Sequence, residues 1–181
     1  KKETEKWRKA SPTDILKKFG EKILKEKKKP PVFTKPSLDL IRKGNFPDPK
    51  RAVFIGGPFK IAAYLKELRK LFLRVRPRYA PYMSIDFTFK KEKTHDSCME
   101  ILSHCGHAIF DVSTEAGQYA EIEYAKIKKI PTLLLFSALN EESKKNPPFS
   151  AMIRTVGFPI EGFCYFDELE EIFKKFLPKE P

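Results

Sequence analysis

From Arg51 onward, short apolar runs of strand length alternate with amphipathic segments of helical length. A parallel β-sheet covered by helices on both faces produces this pattern, because strands buried on both sides are continuous apolar runs. The pattern predicts five strands, at residues 52–55, 83–89, 107–112, 132–136 and 162–166. It predicts helices near 60–73, 94–104, 117–129 and 168–177. Right-handed crossovers then give a doubly wound, Rossmann- or flavodoxin-like α/β sheet of about five parallel strands.

The first fifty residues have a different character. They contain 16 Lys and Arg residues against 7 Asp and Glu residues, in a chain of net charge +12. A helix start at Ser11-Pro12 and a short helix at 37–43 are predicted, followed by a proline-rich linker at 45–50. The chain is therefore expected to consist of a basic helical arm with its linker, residues 1–50, and an α/β domain, residues 51–181.

The charge of the arm allows two interpretations. Clustered Lys residues could make weak contacts with the phosphates of a nucleic acid. A solvated helix face explains the same charge, and we favour it because no aromatic residues interleave the Lys runs as base-stacking platforms would.

Several protein classes are not expected. The longest apolar stretch, residues 130–139, is about half of the ~20 residues that a membrane span requires, and the chain opens without a signal-peptide pattern. Three cysteines without framework spacing suit reduced thiols. A soluble, cytoplasmic protein is therefore predicted, with no membrane partner.

No metal or organic cofactor is expected. Three histidines lie near two of the cysteines, but their spacing matches no zinc-site pattern; they are His95, His104 and His107, near Cys98 and Cys105. The chain has neither the GxGxxG nor the P-loop motif at its first turn, and its serines lack a nucleophile elbow.

In a doubly wound sheet, ligands bind beyond the carboxyl ends of the strands, near the switch in strand order. The turn after the first strand contains two glycines that allow close backbone approach and a helix start that suits an anion. Its candidate binding residues are Gly56, Gly57, Pro58, Phe59 and Lys60. A tight turn without a ligand explains these residues equally well.

Glu121 is the most informative acid. It falls in the first turn of the helix after the third strand, where the helix dipole favours an ionised carboxylate. Glu123 has a Lys126 partner three residues on, but Glu121 has no basic residue at that spacing. Asp111 lies near the end of a buried strand, where a carboxylate needs partners, and Asp96 opens a helix, where an N-cap role would explain it.

Four segments in this order resemble the nucleoside 2-deoxyribosyltransferase-like superfamily, and most closely its 2'-deoxynucleoside 5'-phosphate N-hydrolase branch. They are GGPF at 56–59, Asp96, the AIFDVS…GQYAEIEYA block at 108–125, and FSAMIR at 149–154. The resemblance covers about residues 51–177. It implies that Glu121 is a nucleophile attacking C1' of deoxyribose and that Asp96 protonates the leaving base.

The resemblance also implies a substrate-binding set. Lys60 and Ser150 would bind the 5'-phosphate, with Ser150 contributed by the neighbouring subunit of a homodimer. The other members of the set are Gly56, Gly57, Pro58, Phe59, Asp111, Glu115, Gly117 and Met152.

Glu115 departs from the pattern. Six residues before Glu121, the N-hydrolases have a phosphate-binding serine and the transferases an aspartate that holds the 5'-hydroxyl. A carboxylate repels a phosphate and accepts a hydrogen bond from a hydroxyl. Glu115 therefore favours a nucleoside, whereas Lys60 and Ser150 favour a nucleotide. Pro58 is a second departure, because the N-hydrolases have a serine hydroxyl there.

Two other functions fit the same sequence. A TIR-like NAD glycohydrolase also uses a glutamate on a related α/β sheet. A non-catalytic nucleotide- or nucleic-acid-binding module would account for the basic arm and for Glu115.

Overall fold

Five parallel strands form one sheet in the order β2-β1-β3-β4-β5. The computed structural model describes residues 48–57, 62–86, 94–114, 118–145 and 155–179, and within these not the side chains of residues 62 and 94–97. The strands are β1 (Ala52–Gly56), β2 (Ala80–Tyr82), β3 (His107–Asp111), β4 (Thr132–Ser137) and β5 (Ile160–Phe163). The predicted helices of the N-terminal arm lie outside the described residues.

Helices cover both faces of this sheet. They are α1 (Ala62–Val75), α2 (Thr94–Ser103), α3 (Tyr119–Ile127), α4 (Glu141–Lys145) and α5 (Leu169–Phe176). Alternate residues of β1 point to opposite layers: Val53 and Ile55 pack with α1 and α5, whereas Phe54 packs with α2 and α3. The doubly wound α/β fold predicted from the sequence is therefore confirmed.

The second strand was predicted at the wrong residues. It covers Ala80–Tyr82 rather than 83–89, and the chain turns into a 3-10 helix at Ser84–Asp86. Pro81 made the segment 80–82 look unlike a strand, but a proline is tolerated here because β2 is at the edge of the sheet. Asp86 stabilises the turn by accepting a hydrogen bond from the backbone N–H of Met83 at 2.9 Å.

The last strand was also misplaced, since it covers Ile160–Phe163 rather than 162–166. Cys164 leaves the ladder and donates its backbone N–H to the Glu168 carboxylate at 3.1 Å, and the chain then forms a 3-10 turn at Phe166–Glu168. The short helix α4 was not predicted.

The strand order places a topological switch between β1 and β3. The chain crosses from β1 to β2 on one side and reaches β3 on the other, so the loops beyond the carboxyl ends of β1 and β3 diverge. A crevice at this point is where open α/β sheets bind ligands. Within the described residues, no helix is long and apolar enough to cross a membrane.

Candidate active site at the carboxyl ends of β1 and β3

The two glycines of the first turn have different surroundings. Gly56 pairs with Phe110 of β3, and a Cβ atom at Gly56 would lie 2.6 Å from the Phe110 ring. Packing alone therefore requires glycine at position 56. Gly57 lies beside the end of β3, where a Cβ would be 3.4 Å from Cβ of Asp111. Pro58, Phe59 and Lys60, the rest of the predicted turn, lie outside the described residues.

Asp111 is a buried carboxylate at the end of β3, with a side chain close to Tyr64 of α1. Its Oδ1 accepts a hydrogen bond from the backbone N–H of Ser113 at 2.9 Å. Its Oδ2 and the Tyr64 hydroxyl are both shielded from solvent, and neither makes a hydrogen bond of regular geometry to another described residue. Burial raises the pKa of Asp111. Burial also raises the pKa of Tyr64, and the negative charge of Asp111 raises it further.

Hydrogen bonds fix the loop that follows β3. Gln118 is buried and donates from Nε2 to the carbonyl oxygen of Asp111 at 3.2 Å and to that of Thr114 at 3.0 Å. Ser113 links the loop to the next strand, because its hydroxyl accepts the backbone N–H of Ser137 at 2.8 Å. The predicted residues Glu115 and Gly117 lie in the undescribed part of this loop.

Glu121 occupies the first turn of α3, one helical turn after Gln118, as predicted. Its Oε2 atom is shielded from solvent. Cys98 of α2 lies close enough to sense its charge: burial and then the charge of Glu121 raise the pKa of Cys98, and a hydrogen bond with Ser84 partly opposes them, for a value of about 12. The first turn of α3 therefore faces the amino-terminal half of α2.

Asp96 belongs to α2, and its side chain lies outside the described part of the chain. Asp96 lies in the first turn of α2, two residues before Cys98. The backbone of Asp96 is therefore within one helical turn of Cys98, whose pKa is raised by the charge of Glu121. Ser150 and Met152, predicted to contact the substrate, lie outside the described residues.

The described part of the site thus has two halves. Asp111, Gly57 and Tyr64 lie toward α1, whereas Glu121 and Cys98 lie between α2 and α3. Gln118 joins them, because it is bonded to the backbone of Asp111 and begins the helix that carries Glu121. The helix dipole stabilises the ionised form of a carboxylate in the first turn of a helix, and an ionised carboxylate can serve as a nucleophile or a base.

Sequence reasoning missed Tyr64 and Gln118. Tyr64 belongs to the apolar stripe of α1 and is indistinguishable from a core residue by spacing. Gln118 is the N-cap of α3, but its side chain makes no capping hydrogen bond to the helix. It donates instead to the carbonyl oxygen of Asp111 at the end of β3.

The histidines and cysteines form no metal site in the described part of the chain, where no three His, Cys, Asp or Glu residues are placed to share an ion. All three cysteines are unbridged and buried. Burial raises the pKa of Cys105 and of Cys164, so both stay protonated at neutral pH.

Comparison with known proteins does not identify a family: a scan against models of protein families gives no match, and a search among curated proteins gives none. The functional interpretation accordingly depends on the residues themselves and on the resemblance of the four sequence segments.

Proposed function

We propose that the protein cleaves the N-glycosidic bond of 2'-deoxynucleosides or their 5'-monophosphates, with Glu121 as the nucleophile. The observation that carries the proposal is the position of Glu121 in the first turn of the helix after β3, next to the β1/β3 switch point. A partly shielded carboxylate at such a point can meet a ligand held in the crevice.

The proposed reaction has two steps. A Glu121 oxygen attacks C1' of the sugar, the C1'–N bond breaks, and the departing base takes a proton from an acid, for which Asp96 is the candidate. Water, or the nitrogen of a second base, then attacks C1', displaces the Glu121 carboxylate and gives up a proton to the Asp96 carboxylate, which restores the acid. This division between a nucleophilic and an acidic carboxyl group follows two-carboxylate glycosidase chemistry.

Asp111 contributes to the proposal as a binding group. Its Oδ2 and the neighbouring Tyr64 hydroxyl are polar atoms at the carboxyl end of β3, beside the backbone of Gly57. A buried carboxylate that has lost its water is costly unless a ligand or a loop group pairs with it. A sugar hydroxyl is a group that could donate to Asp111.

The test is release of free base, measured by chromatography, from a panel of deoxynucleosides, their 5'-monophosphates and NAD. Glu121→Gln keeps the size of the side chain and removes the nucleophile, so we expect a loss of about a thousandfold or more. Glu123→Gln on the same helix is the matched control and should retain activity. No base from any substrate, or undiminished activity in Glu121→Gln, would refute the proposal.

The same panel separates the alternatives left by the sequence. Faster release from monophosphates would support phosphate binding by Lys60 and Ser150, and faster release from nucleosides would support Glu115 as acceptor of the 5'-hydroxyl. Nicotinamide release from NAD alone would favour the TIR-like alternative. The proposal includes a homodimer in which Ser150 reaches the neighbouring site, and light scattering on the eluting protein tests it.

A further inference from the structure

The end of the sheet opposite the candidate active site, where the strands begin, is strongly basic. In a parallel sheet, the amino ends of the strands and the carboxyl ends of the helices meet at this end. Six described segments lie at this end, before a strand or after a helix. Two of them, residues 104–106 and 155–159, contain no Lys, Arg, Asp or Glu, and the other four are residues 49–51, 74–79, 126–131 and 174–179. They contain eleven Lys and Arg residues and no Asp or Glu. We call these four segments the basic edge.

The charge of the folded part is segregated toward the basic edge. The nearest acids in the sequence are Asp48, Glu123, Glu170 and Glu171, which gives eleven basic against four acidic residues. Glu170 pairs with Arg74, and Glu171 pairs with Lys174. The remainder of residues 48–181 contains ten basic and fourteen acidic residues, so it has the opposite sign.

Helix dipoles explain only part of this charge. Basic residues favour the last turn of a helix, and four of the eleven occupy such turns: Arg74, Lys126, Lys174 and Lys175. Arg76, Lys128 and Lys129 directly follow α1 or α3, so they also lie near a helix carboxyl end. The dipoles do not account for Lys50 and Arg51, for example, which precede β1.

A cleft of about 370 Å³ lies in the basic edge, and every charged residue that lines it is basic. The lining residues are Val75, Arg76, Pro77, Arg78, Lys174 and Lys179. The Arg76 guanidinium is held in place, since Nη2 donates to the carbonyl oxygens of Leu177 and Lys174, each at 2.7 Å. Arg76 is only 8% exposed, so the cleft has one fixed positive charge in its wall and three basic side chains around it.

We propose that the basic edge binds the phosphodiester backbone of a nucleic acid, independently of the proposed glycosidase activity. Its cations are spread along the sheet, whose five strands at about 4.8 Å spacing span ~19 Å. A repeating anion matches this distribution better than a single small anion does, because duplex DNA presents one charge per ~1.7 Å. Arginine and lysine beside a cleft are the usual partners of backbone phosphates.

A membrane surface fits the basic edge less well. Polybasic membrane sites combine cations with apolar side chains that insert between lipids. The exposed large apolar residues near this edge are Leu73 on α1 and Ile127 on α3. These helices cover opposite faces of the sheet, so the two side chains cannot form one inserting patch.

The basic N-terminal arm joins the folded part at this same edge. Residues 1–47 contain 15 Lys and Arg against 6 Asp and Glu residues. The chain enters β1 after Pro49, whose carbonyl oxygen accepts the N–H of Gly106 at 2.8 Å. The point at which these residues join the described part of the chain therefore lies at the basic edge.

The test is fluorescence anisotropy of the full chain with labelled 20-nucleotide RNA, single-stranded DNA and duplex DNA, across a salt series. Arg78→Glu with Lys128→Glu reverses two charges at the basic edge. Lys66→Glu with Lys145→Glu makes the same change in net charge on exposed residues elsewhere. We expect the edge variant to weaken binding about thirtyfold or more and to reduce the salt slope by about two, since each phosphate contact contributes about one.

The control variant should stay within about twofold of the unaltered protein. Comparable weakening by both variants, or by neither, would overturn the proposal. Equal affinity for phosphatidylserine vesicles or for polyglutamate, lost through the same edge substitutions, would overturn the assignment to nucleic acid. Arg78→Gln with Lys128→Gln gives a milder second variant in case the reversal prevents folding. Comparing the three oligonucleotides identifies RNA or DNA as the source of the phosphates.

Discussion

Gln118 donates a hydrogen bond from Nε2 to the carbonyl oxygen of Asp111, 3.2 Å away, and so ties the start of α3 to the end of β3. A second bond from the same Nε2 reaches Thr114 at 3.0 Å. Because Glu121 lies one helical turn after Gln118, these two bonds hold the proposed nucleophile in a fixed place relative to the switch point.

We predict that Gln118→Glu destabilises the protein by about 2–4 kcal/mol. The new carboxylate would face two carbonyl oxygens in a buried position, with no proton to donate to them. Gln118→Ala removes the bonds without adding charge and should cost about 1–3 kcal/mol. Urea unfolding at pH 7 measures both. The interpretation fails if Gln118→Glu unfolds at the same urea concentration as the exposed-site control Lys66→Ala.

We predict that Asp111→Asn is more stable than the unaltered chain at pH 7, and that this difference is smaller at pH 4. The pKa of Asp111 is raised in the folded state by burial, so its contribution to stability is complete below the unfolded pKa of ~3.9 and declines as the pH rises through the folded value. Asparagine avoids the buried charge. It also retains an acceptor for the Ser113 N–H and adds a donor that can face Tyr64.

At pH 7 we expect Asp111→Asn to unfold at a higher temperature than the unaltered protein, because burial penalises the ionised carboxylate of Asp111. Thermal unfolding followed from pH 4 to pH 8 measures it, and the two curves should converge at the acid end. A variant that is less stable than the unaltered protein at pH 7 would show that the ionised carboxylate is well compensated. A stability gain together with lower base release would mark Asp111 as a functional group.

Most of the fold could be predicted because its strands are buried on both faces. β1, β3 and β4 are continuous apolar runs, and they were found within one residue of their ends. β2 and β5 are the outer strands, where less burial leaves a weaker pattern and where Pro81 is tolerated. Periodicity reports burial, so it is least informative at the edges of a sheet.

The candidate site was predictable only in part. Asp111 could be singled out because a carboxylate near the end of a buried strand requires hydrogen-bond partners. Glu121 could be singled out because no basic residue lies three or four positions after it on its helix. The neighbours that place them could not: Tyr64 has the spacing of a core residue, and the bonds of Gln118 run to backbone atoms that no motif encodes. Gly56 is the opposite case: it was predicted to bind substrate, but the Phe110 ring leaves no room for a Cβ atom there, so packing alone explains the glycine.

We predict that Gly106→Ala is strongly destabilising. A Cβ atom at this position would lie 2.3 Å from the carbonyl oxygen of Pro49, and the nearest atoms all belong to the Pro49–Lys50 backbone, so no side-chain rotation can relieve the clash. The Gly106 N–H also bonds to that oxygen. We expect a loss of about 2–4 kcal/mol in urea unfolding, within the range for overpacking and strain. Gly57→Ala is the matched comparison and should cost less, because the closest atoms there are the movable methyl groups of Leu65, the nearer at 3.0 Å.

His107 should make the protein sensitive to mild acid. Burial lowers the pKa of its imidazole below the usual value of about 6.5. Its ring lies edge-on between Tyr79 and Phe176, with centroids 6.0 and 6.1 Å away. Its Nδ1 is shielded from solvent and has no hydrogen-bond partner among the described residues. A group with a lowered folded pKa contributes stability above its unfolded pKa, and that contribution is lost as the pH falls through the folded value.

His107→Phe keeps an aromatic ring between the two neighbours and removes the titration. Between pH 7 and pH 5 the free energy of unfolding should therefore fall further for the unaltered protein than for the variant, as measured by urea unfolding at each pH. Parallel pH profiles for the unaltered protein and His107→Phe would show that this ring does not govern the response to acid.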